Sequence, residues 1–236
     1  EEKHIKRVLE SVKDFDEIIL VDSGSTDNTL EIAKNYTKNI YHQDWIGFAK
    51  QKEYARSLCS NEWVLNLDAD EELTNELKNE IIKTIDENKI DGLNIKISSL
   101  YLGKFNNEKS KFNRRIRFFR KNLGYYPEKL VHESIVVNGK IKKAKSFIYD
   151  YGTIDLKTHL DKINAYSSLR AEEKFKKNKR NSLLKLLFVF PLSFFKSYII
   201  KRGFLNGTRG FIAAVNNSFY AFLKEAKLYE LWNKQQ

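Results

Sequence analysis

Apolar positions along the chain follow two rhythms in turn. Ile5, Val8, Leu9 and Val12 recur at helical spacing and predict an amphipathic helix over residues 2–13. Glu17–Val21 is a short apolar run of strand type that stops at Asp22-Ser23-Gly24-Ser25. Thr26 or Asp27 then caps a helix to about Asn35. Asn39–His42 reads as a weak strand and Gly47–Leu58 as a helix. Trp63–Leu67 is a strand of buried type that ends in Asp68-Ala69-Asp70, and Thr74 caps a helix to about Asn88. Apolar strands alternating with helices predict an α/β domain whose mostly parallel, mixed sheet carries helices on both faces.

After Gly92 the texture changes. Leu93–Ser99 and Arg114–Phe119 alternate apolar and polar residues, as half-buried strands do. Leu130–Val137 and Ser146–Tyr151 are further strand candidates, with Asn138-Gly139 as a turn between them. From Asp155 the chain reads as helical: a charged helix near 155–178, an apolar one near 182–201 and an amphipathic one near 208–231. The expected organisation is a catalytic domain over 1–154 and a helical region over 155–236.

Composition narrows the class. With 236 residues, 42% hydrophobic and 13% aromatic, the chain can bury a core and is not broadly disordered. Only 2 Pro and 10 Gly argue against a loop-rich scaffold, and Cys59, the single cysteine, excludes an internal disulfide and a cysteine-based zinc cage. An intracellular setting is expected. The sequence opens Glu1-Glu2-Lys3 and has no Met, so a fragment lacking its natural start is also expected. The net charge of +11 divides unevenly. Residues 1–100 carry 13 Lys+Arg against 21 Asp+Glu, a net of −8, and residues 101–236 carry 29 against 10, a net of +19. An acidic front and a basic back suggest two tasks on one chain.

The strongest chemical signal is Leu67-Asp68-Ala69-Asp70-Glu71. Side chains two apart on an emerging strand project to one side, so Asp68 and Asp70 can face one point at the carboxyl end of the sheet. Two carboxylates there suit a divalent cation, Mg²⁺ or Mn²⁺, which would neutralise a diphosphate. A solvated acidic turn before a helix explains the same letters without a ligand. The second signal, Val21-Asp22-Ser23-Gly24-Ser25-Thr26-Asp27, runs from strand through a small polar turn into a helix start. Such a turn can offer N–H groups and a carboxylate to a nucleotide, or it can be ordinary turn chemistry.

Taken together, the two segments resemble the family 2 glycosyltransferases and their nucleotide-sugar-binding GT-A fold. The likeness continues through Asp44-Trp45-x-Gly47-Phe48-Ala49-x-Gln51-Lys52, His132-Glu133, Lys162-Ile163-Asn164-x-Tyr166 and Gly203-Phe204-Leu205-Asn206-Gly207-x-x-Gly210. This wording is similar to the subgroup that adds glucose to the lipopolysaccharide inner core. The resemblance implies that Glu1-Glu2 follows a first strand absent from this sequence, with Glu2, Asp22, Ser25, Lys52 and Asp68 at the donor. It implies Asp70 and Asp68 at the metal, and Glu133 as the base that deprotonates the acceptor hydroxyl. Attack opposite the leaving group would invert the anomeric centre. His132 is a possible metal ligand or a positioner of Glu133. Where the subgroup carries a His after the strand preceding its C-terminal helices, this sequence has Asp150, a further possible ligand. Arg115 and Arg117, one strand face at period two, are candidates for donor phosphates or an anionic acceptor, with Trp45 in the same region; a solvated basic edge strand fits them equally.

Leu183–Ile200 is the most apolar stretch, but Lys185, Pro191 and Lys196 interrupt it and make it a poor membrane span. Lys174, Lys176, Lys177, Lys179 and Arg180 precede it and Lys201 and Arg202 follow, a pattern suited to the interface of an anionic membrane. The expected partners are therefore a UDP-sugar, a lipid-linked saccharide and the cytoplasmic face of a bacterial inner membrane. Nucleic acid is not expected, because no recognised nucleic-acid motif accompanies the basic half and the candidate active half is acidic. A dehalogenase-type phosphatase also uses strand-Asp-x-Asp, but leaves the Val21–Asp27 segment unexplained.

Overall fold

The computed structural model describes residues 1–127, 134–152, 155–180 and 182–234. The chain forms two compact units: residues 1–99 with 113–152, and residues 100–112 with 153–236. The excursion 100–112, inside the span read from sequence as catalytic, thus groups with the helices.

The first unit opens with α1 (Glu2–Val12), which buries the helical stripe Ile5, Val8, Leu9 and Val12. β1 (Leu20–Asp22), α2 (Thr29–Ala33) and β2 (Ile40–His42) follow, with β1 and β2 paired in parallel. Then come α3 (Phe48–Leu58), β3 (Trp63–Leu65), β4 (Glu71–Leu73) and α4 (Asn75–Glu87). The remaining long strands are β5 (Gly92–Ser99), β6 (Asn113–Arg120) and β9 (Ile141–Asp150), with the short pair β7 (Gly124–Tyr125) and β8 (Val136–Val137) between them.

A five-stranded sheet has the order β3-β6-β5-β9-β4. It is mixed as expected, but only β5–β9 is parallel within it; β3–β6, β5–β6 and β4–β9 are antiparallel. Helical crossovers deliver parallel neighbours, and β1–α2–β2 is a short example. Apolar–polar alternation fixes which face a residue takes and leaves strand direction open.

The core forms where α4 meets this sheet. Leu77 and Ile81 lie one turn apart on α4 and pack with Leu93, Ile95, Phe118 and Ile148, all nearly inaccessible. Thr74 caps the helix, its Oγ1 accepting from the Leu77 N–H at 3.2 Å, and Asn88 ends it in the left-handed conformation at φ 49°. Trp63 stacks on Phe118 with ring centroids 4.7 Å apart. α4 is therefore anchored close to β4, the strand that follows the Asp68-x-Asp70 turn.

The second unit holds α5 (Leu156–Lys176), α6 (Leu183–Phe195) and α7 (Gly207–Asn233), with a π turn at Lys196–Ile200 and a 3₁₀ turn at Gly203–Asn206. Asp155 and Ser182 cap α5 and α6. Lys227 of α7 donates to the Asn164 carbonyl, the Asn164 side chain, Ser167 and Ser168 of α5 at 2.7–2.8 Å. Arg209 donates to the carbonyls of Tyr101 and Lys104 at 3.0 and 2.8 Å, and Asn206 accepts from the Asn107 N–H at 2.7 Å. These bonds fasten the 100–112 excursion to the start of α7. At Gly210 a Cβ would stand 1.9 Å from the Gly203 carbonyl oxygen, so the glycines of the 203–210 motif permit this tight return.

Candidate active site

The polar turn after β1 is built around Asp22, which is only 8% exposed. Its carboxylate accepts the N–H groups of Gly24 at 2.8 Å and Ser25 at 3.0 Å. Gly24 takes φ +99°, a conformation that a side chain would disfavour. Burial pushes the Asp22 carboxyl up, but the Ser25 and Gly24 hydrogen bonds outweigh it and hold the group below the ordinary range. Asp22 is thus a fixed anion at the end of a strand.

Two consecutive residues of α3 join this turn to the Asp68-x-Asp70 turn. Gln51 donates to Ser23 Oγ at 2.9 Å and to the Gln43 carbonyl at 3.1 Å. Lys52 pairs with Asp68 Oδ1 at 2.8 Å. Motifs more than forty residues apart in sequence are therefore brought onto one short helix.

Asp68 is engaged on both oxygens, since Arg117 Nη2 lies 2.7 Å from its Oδ2. The same guanidinium pairs with Glu71 at 2.5 Å and donates to Asn66 Oδ1 at 2.9 Å, and Glu71 Oε2 accepts the Asp68 N–H at 3.0 Å. Burial opposes ionisation of Asp68, but Arg117 and Lys52 overcome it and hold its carboxyl well below the usual range. Glu71 is more deeply enclosed and burial pushes it up. Asp68, expected beside Asp70 at one cation, is thus engaged by two basic side chains. Arg117, expected near donor phosphates or an anionic acceptor, turns inward to three acceptors. It serves as an internal counter-ion with 5% side-chain exposure. Strand alternation predicted its face, but three acceptors converging on it could not be read from spacing.

Asp70 meets a different carboxylate. Across the antiparallel β4–β9 pair Glu71 stands opposite Asp150, and the Tyr151 N–H donates to the Asp70 carbonyl at 2.9 Å. Asp150 is oriented by Ser99 Oγ at 2.8 Å and by the Gly152 N–H at 2.9 Å. A Cβ at Gly152 would lie 1.9 Å from Asp70 Oδ2 and 3.3 Å from Asp150 Oδ1, so both carboxylates border the space that glycine leaves open. Burial, then the Asp150 and Asp68 charges, push Asp70 up to about 6. Two converging carboxylates, one of them repelled toward its neutral form, have the donor chemistry for Mg²⁺ or Mn²⁺, which take one or two carboxylates and complete their shell with phosphate and water oxygens. Among the described residues no cluster of three or more potential ligands occurs.

The other predicted positions are distributed as follows. Glu2 accepts the Asn28 N–H at 3.0 Å and so braces the start of α2. Ser25 belongs to the Asp22 turn. Trp45 is 55% exposed and meets Phe48 edge-on at 4.7 Å. Arg115 is half-buried on β6. Glu133 and His132 lie outside the described residues. Sequence reasoning missed β4 and, with it, the buried role of Glu71. The signal was the alternation Glu71-Glu72-Leu73, whose outer two residues are buried.

Comparison with known proteins assigns the family and the fold. The sequence profile described as glycosyl transferase family 2 matches residues 1–138. The chain belongs to glycosyltransferase family 2. It is 35% identical to an uncharacterized glycosyltransferase of Rickettsia typhi over 248 residues, covering 98% of this chain and 84% of the relative. It is 32% identical over 241 residues to the lipopolysaccharide core biosynthesis glycosyltransferase LpsC of Rhizobium meliloti, covering 98% and 88%. Among solved structures, residues 1–349 of S. aureus TarS in complex with UDP-GlcNAc superpose with a TM-score of 0.51 at 18% identity, covering 100% of this chain and 89% of that one. That likeness shows the fold: the mixed-sheet α/β architecture is GT-A, with a helical C-terminal region.

Proposed function

We propose that this glycosyltransferase is an inverting enzyme that moves glucose from UDP-glucose to a lipid-linked saccharide of the lipopolysaccharide core, at the cytoplasmic face of a bacterial inner membrane. The observation that carries the donor reading is the junction on α3: Gln51 reaches the Asp22 turn and Lys52 reaches Asp68, so a single helix joins the two motifs. Asp22 would accept from the uracil or ribose of the donor. Lys52, anchored at the join, would meet the donor where its phosphates begin. The core-acceptor reading is supported by the likeness to LpsC along nearly the whole chain. The UDP-GlcNAc complex of TarS supports a uridine-diphosphate sugar as the donor class.

Asp70 and Asp150 would hold Mg²⁺ or Mn²⁺. When bound, the cation offsets the charge that gathers on the departing diphosphate. Asp68, already paired with Lys52 and Arg117, fixes the turn that presents Asp70. Glu133 would take the proton of the acceptor hydroxyl as that oxygen attacks the anomeric carbon, and UDP would leave from the opposite face. Residues 1–154 thus carry the chemistry and residues 155–236 serve the acceptor's membrane setting.

The test is transfer of labelled glucose from UDP-glucose to core glycolipid by the enzyme and its Glu133→Gln variant. The variant is expected to retain UDP-glucose affinity within a factor of about three while kcat falls by roughly 10²-fold or more. Unchanged kcat with weakened donor affinity would remove Glu133 from the role of base.

A further inference from the structure

The exposed face of α6 is matched by nothing in the glycosyl-transfer chemistry. By length and composition Leu183–Ile200 is apolar enough to cross a membrane, and none of it is buried. Leu184, Phe188, Leu192, Phe195 and Ile199 fall at i, i+4, i+8, i+11 and i+15, one continuous stripe. Along it Leu184 is 68% exposed, Leu192 65% and Phe195 55%. A contiguous apolar surface of this kind on a charged protein marks a site of association. The charge around it is of one sign: between Glu173 and Glu225 there are eleven Lys and Arg and no Asp or Glu. Of this set, Lys176 and Lys179 before the stripe, Lys196 near its end and Arg202 after it are exposed.

We infer that α6 is a monotopic anchor that lies in the headgroup region of an anionic bilayer, with its apolar stripe among the acyl chains and the flanking cations on lipid phosphates. Three observations favour lying in the surface over crossing it. The extension of α6 is tied to α7 on the side away from the stripe by Asn217 donating to Ser197 Oγ at 3.1 Å, and Lys185, beside the stripe, pairs with Glu225 of α7 at 3.4 Å. A spanning helix would carry those polar groups into lipid. Lys196 lies within the exposed apolar run, near the stripe's end. Regular α-helix also ends at Phe195, where the π turn begins, short of the roughly 20 residues that a span needs. A second protein copy would find apolar surface here but would have to bring complementary acid; an anionic leaflet supplies both partners.

This anchor deepens the proposed membrane-bound acceptor, yet it is read without turnover, so its failure is separable from failure of the donor or acceptor assignment. The experiment is co-sedimentation of the whole chain with vesicles of phosphatidylglycerol and phosphatidylcholine, and with phosphatidylcholine alone. The comparison is a variant with Leu184→Asn, Phe188→Ser and Leu192→Asn, substitutions at exposed positions. The protein is expected to bind the anionic vesicles at least tenfold more strongly than the neutral ones. Binding should fall with added salt, alkaline carbonate should release it, and the variant should bind roughly tenfold or more weakly with an unchanged circular dichroism spectrum. Equal binding by the variant, or no preference for anionic vesicles, would overturn the anchor. Resistance to carbonate would overturn the interfacial geometry in favour of a span. A dimer in sedimentation that the variant abolishes, without vesicle binding, would assign the stripe to a second copy.

Discussion

Gly152 carries a sharp expectation at the scale of single residues. Its absent side chain leaves the space that Asp70 Oδ2 borders, and a methyl group there would stand 1.9 Å from that oxygen. Gly152→Ala is expected to displace the Asp70 carboxylate and lower kcat/KM by roughly tenfold or more, since small misplacements of a reacting constellation are costly. Its melting temperature should stay near that of the parent; unchanged kinetics would separate Gly152 from the site. Asp22 gives the pH expectation. Its folded pKa is depressed, so its contribution to stability is present above the unfolded carboxyl value near 4 and is lost as pH falls through the folded value. Asp22→Asn should therefore cost about 1 kcal/mol in urea unfolding at pH 7, and the gap should narrow below about pH 4. A gap that widened in acid would contradict the anionic assignment. Asp22 and Asp70 were legible from sequence because each follows an apolar strand. The opposite environments of Asp68 and Asp70 were not, since burial raises both and the partners that set them apart, Lys52, Arg117 and Asp150, arrive from distant strands and helices.

At the scale of elements, the β3-β6 and β4-β9 pairings do the assembling. β6 brings Arg117 beneath the acidic turn, and β9 brings Asp150 beside it. Arg117→Ala would leave Asp68 and the buried Glu71 without their shared counter-charge. We expect a loss of about 3–5 kcal/mol in denaturant unfolding, with Arg117→Met milder than a buried charge left alone would suggest only if Glu71 is also neutralised. A loss under about 1 kcal/mol, the usual worth of an exposed pair, would show that the guanidinium is not the keystone of the turn. Helices were largely legible: the apolar stripe of α1, the Thr74 cap of α4 and the start of α5 at Asp155 stand where periodicity and capping chemistry put them or within a residue of it. Strands were legible in place but not in partner. The strand expected over Ser146–Tyr151 is, up to Asp150, the end of a longer β9 whose polar beginning, Ile141-Lys142-Lys143, lacks the apolar density that marks a strand.

At the scale of the whole molecule, the split of charge acquires a structural meaning. The acidic half supplies Asp22, Asp68 and Asp70, all placed at strand ends or the turn beyond them, and consumes part of its own charge on Lys52 and Arg117. The basic half supplies three helices, one of which shows an unburied apolar stripe among cations. Family membership follows from the first half, since the matching profile ends at residue 138. The proposed role in core lipopolysaccharide synthesis rests on the likeness to LpsC, which covers 98% of the chain and so continues through the second. The central claim is that the Asp22 and Asp70 turns together form one nucleotide-sugar site. The most direct measurement is isothermal titration of UDP-glucose into the enzyme and its Asp70→Asn variant, with and without Mg²⁺. The account predicts one site per chain for the parent, tightened by Mg²⁺, and a variant in which Mg²⁺ no longer strengthens binding. Binding that is indifferent to Mg²⁺ in the parent, or equally strengthened by it in both proteins, would contradict the account.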